Sequence, residues 1–223
     1  MKAPLLAGFA ALAVLATPAS AEDMQGKVQV KLLGTAVLPD GKITDVNVDI
    51  VGLPAGTQTK ANDNVVPTVA IEYFVADNFS IETICCFTQH DVDTTAGFPA
   101  GTELVSNARV IPATFTAKYH VDGGAIRPYV GAGVTYFLWV KDRPGAATIP
   151  LGVTETDFSD EFGFVLQAGV DIPVSDNGFG ISLDAKRYFV DTTSRWYVGD
   201  VVAIETVHKL DPWVLSAGVT FAF

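Results

Sequence analysis

The sequence predicts an all-β protein, an eight-stranded antiparallel transmembrane β-barrel with short periplasmic turns and long outer loops. Three observations support this prediction. Apolar residues alternate with small or polar residues along most of the chain, and this alternation has the period of a β-strand. Short and long connections between these segments also alternate. The last segment, residues 213–223, has one apolar face and ends on Phe223, as expected of a strand that borders lipid.

The chain begins with a segment that is typical of an export signal. Lys2 precedes an apolar stretch over residues 5–16, and residues 18–21 offer a cleavage site of the A-x-A type. We therefore expect residues 1–21 to be a signal peptide and residues 22–223 to form one transmembrane barrel domain. No later run of eighteen apolar residues follows, which argues against helical membrane spans. An outer-membrane barrel or a periplasmic β-protein remains.

Eight strands are predicted from the alternation. They cover residues 27–37, 65–75, 79–88, 109–121, 126–140, 161–172, 178–191 and 212–223. In the sixth of these strands, Phe164 and Leu166 belong to an apolar face. Gln167 and Asp171 lie on the opposite face. The apolar face should contact lipid, and the polar face should line the lumen.

The connections between the predicted strands differ in length. The short ones lie at residues 76–78, 122–125 and 173–177, and the long ones at 38–64, 89–108, 141–160 and 192–211. The long connections are rich in Gly, Pro, Thr and Asp. Outer-membrane barrels have short periplasmic turns and long external loops, so both chain ends should lie on the periplasmic side. A soluble β-sandwich is the alternative, although it gives no reason for this segregation by length.

Composition narrows the possible functions. The formal net charge of −11 argues against nucleic acid, because phosphates would repel the protein. The chain contains no G-x-S-x-G nucleophile motif. His and Cys residues do not show the spacing of a metal site. We therefore predict no enzyme activity, no metal and no cofactor.

The two cysteines, Cys85 and Cys86, are adjacent. Pairing them could not close a long loop, and on a strand they would point to opposite faces. A vicinal disulfide would be strained. The simpler hypothesis treats both as ordinary strand residues, and the sequence assigns them no role.

Charged residues are predicted to collect inside the barrel near the short turns. By strand parity, the predicted plug of the lumen comprises Glu72, Glu82, Lys118, His120, Arg127, Asp171, Asp184 and Lys186. Lys31 and Glu161 fall on the same face. Unpaired charges in a narrow lumen would be costly, so these groups should pair with one another. Two interpretations remain open, a structural ion network that closes the bore and a constriction that selects solutes.

Small and apolar residues are predicted to line the lumen towards the long loops. This predicted funnel comprises Leu33, Val37, Gly133, Phe137, Trp139, Val165 and Val190. Glycines suit the crowded interior of an eight-stranded barrel. An apolar funnel above a charged plug would favour apolar solutes, because polar ones gain little there.

Several segments resemble one known family in the same order along the chain. Residues 126–136, IRPYVGAGVTY, resemble a strand of the OmpW family of small outer-membrane proteins. Residues 72–78, EYFVADN, resemble its second hairpin, residues 112–115, PATF, its fourth strand, and residues 184–188, DAKRY, its seventh. The similarity covers essentially all of residues 22–223. The Cys85–Cys86 pair and the loop at 192–211 depart from the family pattern.

The resemblance implies a barrel with a narrow, partly hydrophobic lumen in the bacterial outer membrane. Such a barrel would help small hydrophobic molecules cross that membrane, with lateral exit through its wall. Its partners would be outer-membrane lipids and lipopolysaccharide, small hydrophobic solutes, and the barrel-assembly machinery that reads the terminal aromatic strand. The alternative is a structural or adhesion barrel with a closed lumen, whose loops bind partners. A soluble lipid-binding barrel would need an apolar interior and a polar exterior, and a lipid-modifying enzyme would need Ser, His and carboxylate groups in its loops.

Overall fold

A computed structural model describes residues 23–121 and 124–223 of the chain. The predicted signal peptide lies outside these ranges. Within them the chain forms fourteen strands and one short 3₁₀ turn, Ile149–Leu151. None of the described helical segments is long or apolar enough to cross a membrane.

Eight of the strands form a closed antiparallel barrel, as predicted. They are β1 (Val28–Leu38), β4 (Asn64–Ala76), β5 (Phe79–Cys85), β7 (Glu103–His120), β8 (Arg127–Pro144), β10 (Glu161–Pro173), β11 (Phe179–Phe189) and β14 (Trp213–Ala222). Each strand pairs with the next in this order, and β14 pairs with β1. Closure pairs every barrel strand on both sides over at least part of its length, as a membrane requires, because unpaired backbone groups there would be costly.

The first and last strands close the barrel along a continuous register. Leu32 lies opposite Val219, and the register runs from Gln29 to Leu38 on β1. At the end that carries the short turns, Phe223 N donates to the Val28 carbonyl at 2.9 Å, and Val28 N donates to the Phe223 carbonyl at 3.2 Å. The terminal residue is therefore part of the seam.

The long connections carry strands that the sequence analysis did not predict. They are β2 (Lys42–Asp49), β3 (Gln58–Ala61), β6 (Thr88–Ala96), β9 (Glu155–Phe158), β12 (Asp191–Val198) and β13 (Val201–Lys209). A second sheet has the order β2, β13, β12, β9, whereas β3 pairs with β6 and β6 pairs with β7. Because these strands continue the barrel strands in sequence, they extend its wall at the end opposite the short turns, here called the outer end.

Side chains alternate between the outside and the inside of the barrel as the sequence predicts. Phe164, Leu215 and Phe223 are 69%, 44% and 76% exposed. Val219 and Phe221 are partly exposed on the same outward face. Phe164 and the apolar face of residues 213–223, to which the other four belong, were expected to face lipid. The apolar exterior and the polar interior are the arrangement of a membrane barrel.

We predict that neighbouring positions on β14 report opposite environments. Val219 faces outward, whereas Thr220 is 2% exposed and lies inside. A nitroxide label at position 219 should be relaxed by oxygen dissolved in lipid, and a label at 220 by a water-soluble nickel complex. Both labels would be introduced as cysteines in a Cys85→Ser, Cys86→Ser background and measured by electron paramagnetic resonance in bilayers. The reverse pattern would show that the facing of β14 is wrong.

Candidate functional site

A buried group of charged side chains fills the barrel near the short turns. Inward positions on six strands supply its members. This ion cluster consists of Lys31, Glu72, Glu82, Lys118, His120, Asp171, Asp184 and Lys186, each at most 7% exposed. Strand parity brings these residues to one side of the wall, and the closed barrel brings the six strands within reach of one another.

Two lysines share one glutamate at the centre of the ion cluster. Lys118 Nζ donates to Glu72 Oε2 at 2.7 Å and to Glu82 Oε2 at 3.0 Å. Lys31 Nζ lies 2.9 Å from Glu72 Oε2 and donates to Asp171 at 3.1 Å. Each buried carboxylate therefore has a cationic partner, which offsets the cost of removing it from water.

Some of these contacts cross the whole bore. Lys186 Nζ on β11 lies 3.1 Å from Glu82 Oε1 on β5, and these two strands stand opposite each other in the barrel. Gln167 Nε2 on β10 donates to Glu82 Oε1 at 2.9 Å and to Asp184 Oδ2 at 2.6 Å. Because opposite walls are joined by direct contacts, side chains close the lumen at this level.

Tyr129 completes the ion cluster from β8. Its hydroxyl donates to Asp184 Oδ2 at 2.7 Å, and Lys118 Nζ lies 3.7 Å from the centre of its ring. Gly169 provides the space for this ring, because a Cβ atom there would come within 2.5 Å of Tyr129 Cζ. A glycine at position 169 is therefore required for Tyr129 to reach Asp184.

His120 occupies the edge of the ion cluster nearest the short turns. Its Nε2 lies 2.8 Å from Glu72 Oε1 and 2.9 Å from Ser80 Oγ. Ser80 Oγ also donates to Glu72 Oε1. The imidazole ring packs between Phe74 and Tyr129, with ring centres 5.0 and 5.2 Å away. These contacts fix the orientation of the ring.

Seven of the eight predicted plug residues meet in the ion cluster, and Arg127 does not. Arg127 is partly exposed at the first residue of β8. Its Nη2 donates to the carbonyl of Asp77 at 2.7 Å, and its guanidinium lies over the Phe74 ring. The expectation that Arg127 pairs with the other charges of the predicted plug is therefore wrong. Parity gave the correct face but not the depth along the strand.

The sequence analysis missed four uncharged members of the same network. They are Ser80, Tyr129, Gln167 and Ser182, of which Ser182 Oγ donates to Asp171 Oδ1 at 2.6 Å. Each lies on a lumen face that parity had identified. Their small or uncharged side chains gave no sign in the sequence that they belong to the network. Their position on the same face as the predicted buried charges could have indicated it.

The ion cluster separates two cavities. One opens at the short-turn end, has a volume of about 670 Å³ and is lined by polar residues that include Gln29, His120 and Asp171. The other, here called the outer cavity, has a volume of about 100 Å³ and extends towards the outer end. Lys186 lines the outer cavity, so the ion cluster forms its floor.

Apolar side chains build the wall of the outer cavity. Four members of the predicted funnel line it, namely Leu33, Val37, Phe137 and Trp139. Val165 and Val190 are buried in the same apolar cluster as Val37 and Phe137. Trp139 packs against this cluster, whereas Leu33 belongs to a second buried cluster with Ala70 and Ile84.

Gly133, the remaining residue of the predicted funnel, has a different position. A Cβ atom there would lie 2.7 Å from Thr116 Cα and would also collide with the carbonyl of Phe115. Gly133 therefore allows close contact between β8 and β7 and does not border the open cavity. A bulky substitution at this position would disturb strand pairing before it narrowed a passage.

The strands beyond the barrel add aromatic residues to the outer cavity. Trp139 stacks on Phe158, with ring centres 4.5 Å apart and an interplanar angle of 23°. Trp196 lies near His208, with ring centres 6.4 Å apart. All four side chains line the outer cavity. Phe158, Trp196 and His208 belong to strands that the sequence analysis did not predict.

The barrel wall is interrupted beside the outer cavity. Pairing between β4 and β5 ends at Val69 and Cys85, and among the described strands β6 pairs with β3 and β7. Thr68, Cys86 and Pro112 line the outer cavity at this position, which we call the wall gap. Pro67 on β4 and Pro112 on β7 have no N–H to donate across it.

Burial keeps His208 and His90, two histidines of the outer strands, neutral. Desolvation by burial lowers the pKa of His208 to about 4, and it also lowers the pKa of His90. His208 Nε2 lies 2.7 Å from Thr206 Oγ1, which in turn lies 2.9 Å from Ser194 Oγ. Both histidines lie on strands beyond the membrane-spanning part of the barrel, and they add no charge to the outer cavity at neutral pH.

A closed eight-stranded barrel with an apolar exterior and a polar, paired interior defines a transmembrane barrel of the outer-membrane type. The chain belongs to the OmpW family, whose sequence profile matches residues 24–223. It is therefore an outer-membrane protein.

Individual relatives agree with this assignment. The chain is 32% identical to the uncharacterised outer-membrane protein y4mB of Sinorhizobium fredii, over 96% of this chain and 90% of that protein. It is 25% identical to the dibenzothiophene metabolism operon protein PahQ of Pseudomonas aeruginosa, over 92% of each chain. The crystal structure of the outer-membrane protein OprG from Pseudomonas aeruginosa has the same fold, with a TM-score of 0.81 and 21% identity over 91% of this chain and 98% of that one.

We predict that removing one cation from the ion cluster destabilises the barrel much more than removing Arg127. Lys118→Met leaves Glu72 and Glu82 with fewer partners, and breaking a buried pair costs roughly 3–5 kcal/mol. Arg127→Ala removes a contact with an exposed carbonyl and should cost about 0.5 kcal/mol or less. Urea unfolding in detergent, followed by the electrophoretic shift between folded and unfolded barrel, measures both. Equal effects of the two variants would contradict this account of the network.

We predict that the outer strands lose stability in acid through His208. Its pKa in the folded state is about 4, below the ordinary value of 6.5, so the unfolded chain binds a proton first as the pH falls. Stability present above pH 6.5 is lost on approach to pH 4, by at most about 1.4 kcal/mol per pH unit. Urea midpoints at pH 7.5 and 4.5 should differ less for His208→Gln than for wild type. His90→Gln is the companion variant, because the pKa of His90 is shifted in the same direction. An undiminished difference in His208→Gln would rule out this contribution.

Proposed function

We propose that this barrel lets small hydrophobic molecules pass from outside the cell into the outer membrane, with lateral exit through the wall gap. One observation supports the proposal above all others. The outer cavity runs from Trp196 and His208, beyond the barrel, to the wall gap at Cys86, and its floor is the ion cluster. A solute in this cavity therefore has apolar surroundings and a position next to the wall.

The outer cavity offers an apolar solute a favourable environment. Its barrel portion is lined by aliphatic residues such as Leu33, Val37 and Val214, and its outer part by aromatic ones. Burial of apolar surface contributes about 25 cal/mol per Å². Strongly polar or charged solutes would lose more hydration there than the few polar groups of the lining could replace, so they are disfavoured.

The ion cluster opposes straight passage to the periplasm. A solute moving down the bore would have to separate Lys186 from Glu82 and Lys31 from Asp171, which lie 3.1 Å apart in each case. Breaking one such buried pair costs several kcal/mol. An apolar solute could not replace the lost partners.

The wall gap offers a less costly route. Pro67 and Pro112 cannot donate backbone hydrogen bonds, so separating the strands there breaks fewer bonds than elsewhere in the barrel. Phe87, 61% exposed, presents an apolar side chain to the outside at the same position. Exit at this level would place an apolar solute directly among lipid chains.

The same proposal includes the surroundings of the barrel. Outer-membrane lipids and lipopolysaccharide would contact its apolar exterior. The barrel-assembly machinery would recognise the last strand together with the exposed Phe223 that follows it. The name of PahQ places that relative in an operon for metabolism of an aromatic compound, which is consistent with a hydrophobic solute here.

We predict that a bulky side chain at the wall gap blocks uptake. Ile84 lines the outer cavity and is 9% exposed, whereas Ile81 on the same strand faces outward and is 45% exposed. Ile84→Trp should reduce uptake of an apolar fluorescent dye several-fold, because the indole would fill the exit. Ile81→Trp is the matched control and should support normal uptake. The assay compares cells that lack their own copy and express either variant or wild type at equal folded levels.

Equal uptake by all strains, including one without the protein, would reject the transport proposal. The structural or adhesion hypothesis would then be favoured, since a barrel that serves only through its outer strands needs no open route. Loss of uptake in Ile81→Trp as well would contradict the proposed exit, because an outward tryptophan cannot fill the cavity at the wall gap.

A further inference from the structure

We propose that the outer end of the outer cavity binds planar aromatic molecules that carry a hydrogen-bond acceptor, an inference that rests on the proposed passage of hydrophobic solutes and specifies their class. The site consists of Trp139, Phe158, Trp196 and His208, here called the aromatic cage. Their side chains line one cavity. The site lies in the strands beyond the barrel, above the aliphatic layer.

The shape of the aromatic cage favours a flat ligand. Trp139 and Phe158 are stacked with ring centres 4.5 Å apart, and Trp196 and His208 form a second tilted pair. Aromatic rings attract other rings in offset or edge-to-face arrangements worth about 0.5–1.5 kcal/mol beyond simple burial. A planar aromatic solute could use several such contacts at once, whereas a flexible alkyl chain could use none of them.

Two unpaired donors give the aromatic cage its polarity. The indole Nε1 atoms of Trp139 and Trp196 are both buried and have no hydrogen-bond partner. Trp196 as a whole is 5% exposed. A buried donor without a partner costs about 1–3 kcal/mol, and native proteins contain few of them. A ligand oxygen or nitrogen that accepts from either indole would recover this loss.

The acceptor should be uncharged. Among the described residues that line the outer cavity, Lys186 is the one lysine or arginine, and it belongs to the floor. His208 has its Nε2 engaged with Thr206 Oγ1 at 2.7 Å and is neutral at pH 7, so it does not supply a positive charge. A carboxylate would therefore be desolvated at the aromatic cage without a cationic partner. Aromatic ketones, ethers and heteroaromatic rings fit these requirements.

The lower part of the cavity has different chemistry. Leu33, Val37, Val110 and Val214 make it aliphatic, so it can accept any apolar molecule. Discrimination would therefore occur at the outer end, before a solute reaches the wall gap. Neither the stacked rings nor the unpaired donors are needed to retain an alkane.

Binding to the purified full chain in lipid nanodiscs tests this proposal. The probes are 9-fluorenone, its analogue fluorene that lacks the carbonyl acceptor, and n-decane, with protein-free nanodiscs as the partition blank. Wild type should bind fluorenone about fivefold or more tightly than fluorene, as expected for one recovered hydrogen bond. n-Decane should compete weakly. Titration calorimetry gives the affinities, and quenching of tryptophan fluorescence locates the site.

Variants separate the ring contacts from the donors. Trp139→Phe combined with Trp196→Phe keeps aromatic faces but removes both N–H groups, so fluorene binding should persist while the preference for fluorenone disappears. The corresponding double leucine variant should lose both ligands. Trp213→Phe is the control, because Trp213 is 47% exposed on the outside of the barrel. If the double phenylalanine variant does not fold, the two single variants replace it.

Equal affinity of wild type for fluorenone and fluorene would overturn the acceptor requirement, as would a preference that survives the double phenylalanine change. Equal competition by n-decane would overturn the aromatic requirement. These outcomes are independent of uptake. A barrel that binds fluorenone as expected but transports equally well in Ile84→Trp would retain the aromatic cage and lose the proposed exit, whereas blocked uptake without selective binding would do the opposite.

Discussion

The contact between Lys186 and Glu82 across the bore is the interaction on which the rest of the site depends. These residues lie on opposite walls of the barrel, with Nζ and Oε1 3.1 Å apart. Charges buried so deeply must all be paired, and the surrounding lysines and carboxylates meet this condition together rather than in isolated pairs. The paired network occupies the space through which an eight-stranded barrel could otherwise conduct. The lumen is thereby divided into a polar half and an apolar half, which differ in what they can hold.

Most of this arrangement could be predicted from the sequence because strand parity has a fixed period. Once residues such as Phe164 were assigned to lipid, the inward position of Gln167 followed, as did that of all eight members of the ion cluster. Parity determines a face but gives no depth and no contact distance. Arg127 lies on the correct strand, yet it sits at the rim and donates to an exposed carbonyl. Gly133 was interpreted as lumen lining, whereas the missing side chain serves the close packing of β8 on β7.

The outer strands and the wall gap could not be predicted because they depend on non-local pairing. The segment that contains β12 and β13 is rich in turn-forming and polar residues, and its strands are stabilised by each other, since Thr192 pairs with His208. At the wall gap, inward residues continue without a change of parity from Ile84 to Thr88, so the sequence predicts one unbroken strand. The interruption lies in the strand pairing. The segment from Ile84 to Thr88 changes its pairing partners at a level where the two neighbouring strands both carry a proline.

The direction of exit that we propose follows from a comparison of the free-energy costs at the floor and at the wall of the outer cavity. An apolar solute above Lys186 meets ion pairs below it, and their separation costs several kcal/mol without any compensating contact. At the wall gap the same solute meets Cys86, Thr68 and a proline, and it leaves for a medium as apolar as itself. Replacing charged residues of the ion cluster by apolar ones of similar size would not by itself open the bore, because the new side chains would still fill it. The proposed lateral exit therefore depends on two separate features, a strongly paired floor and a weakly paired wall, and both lie within one cavity.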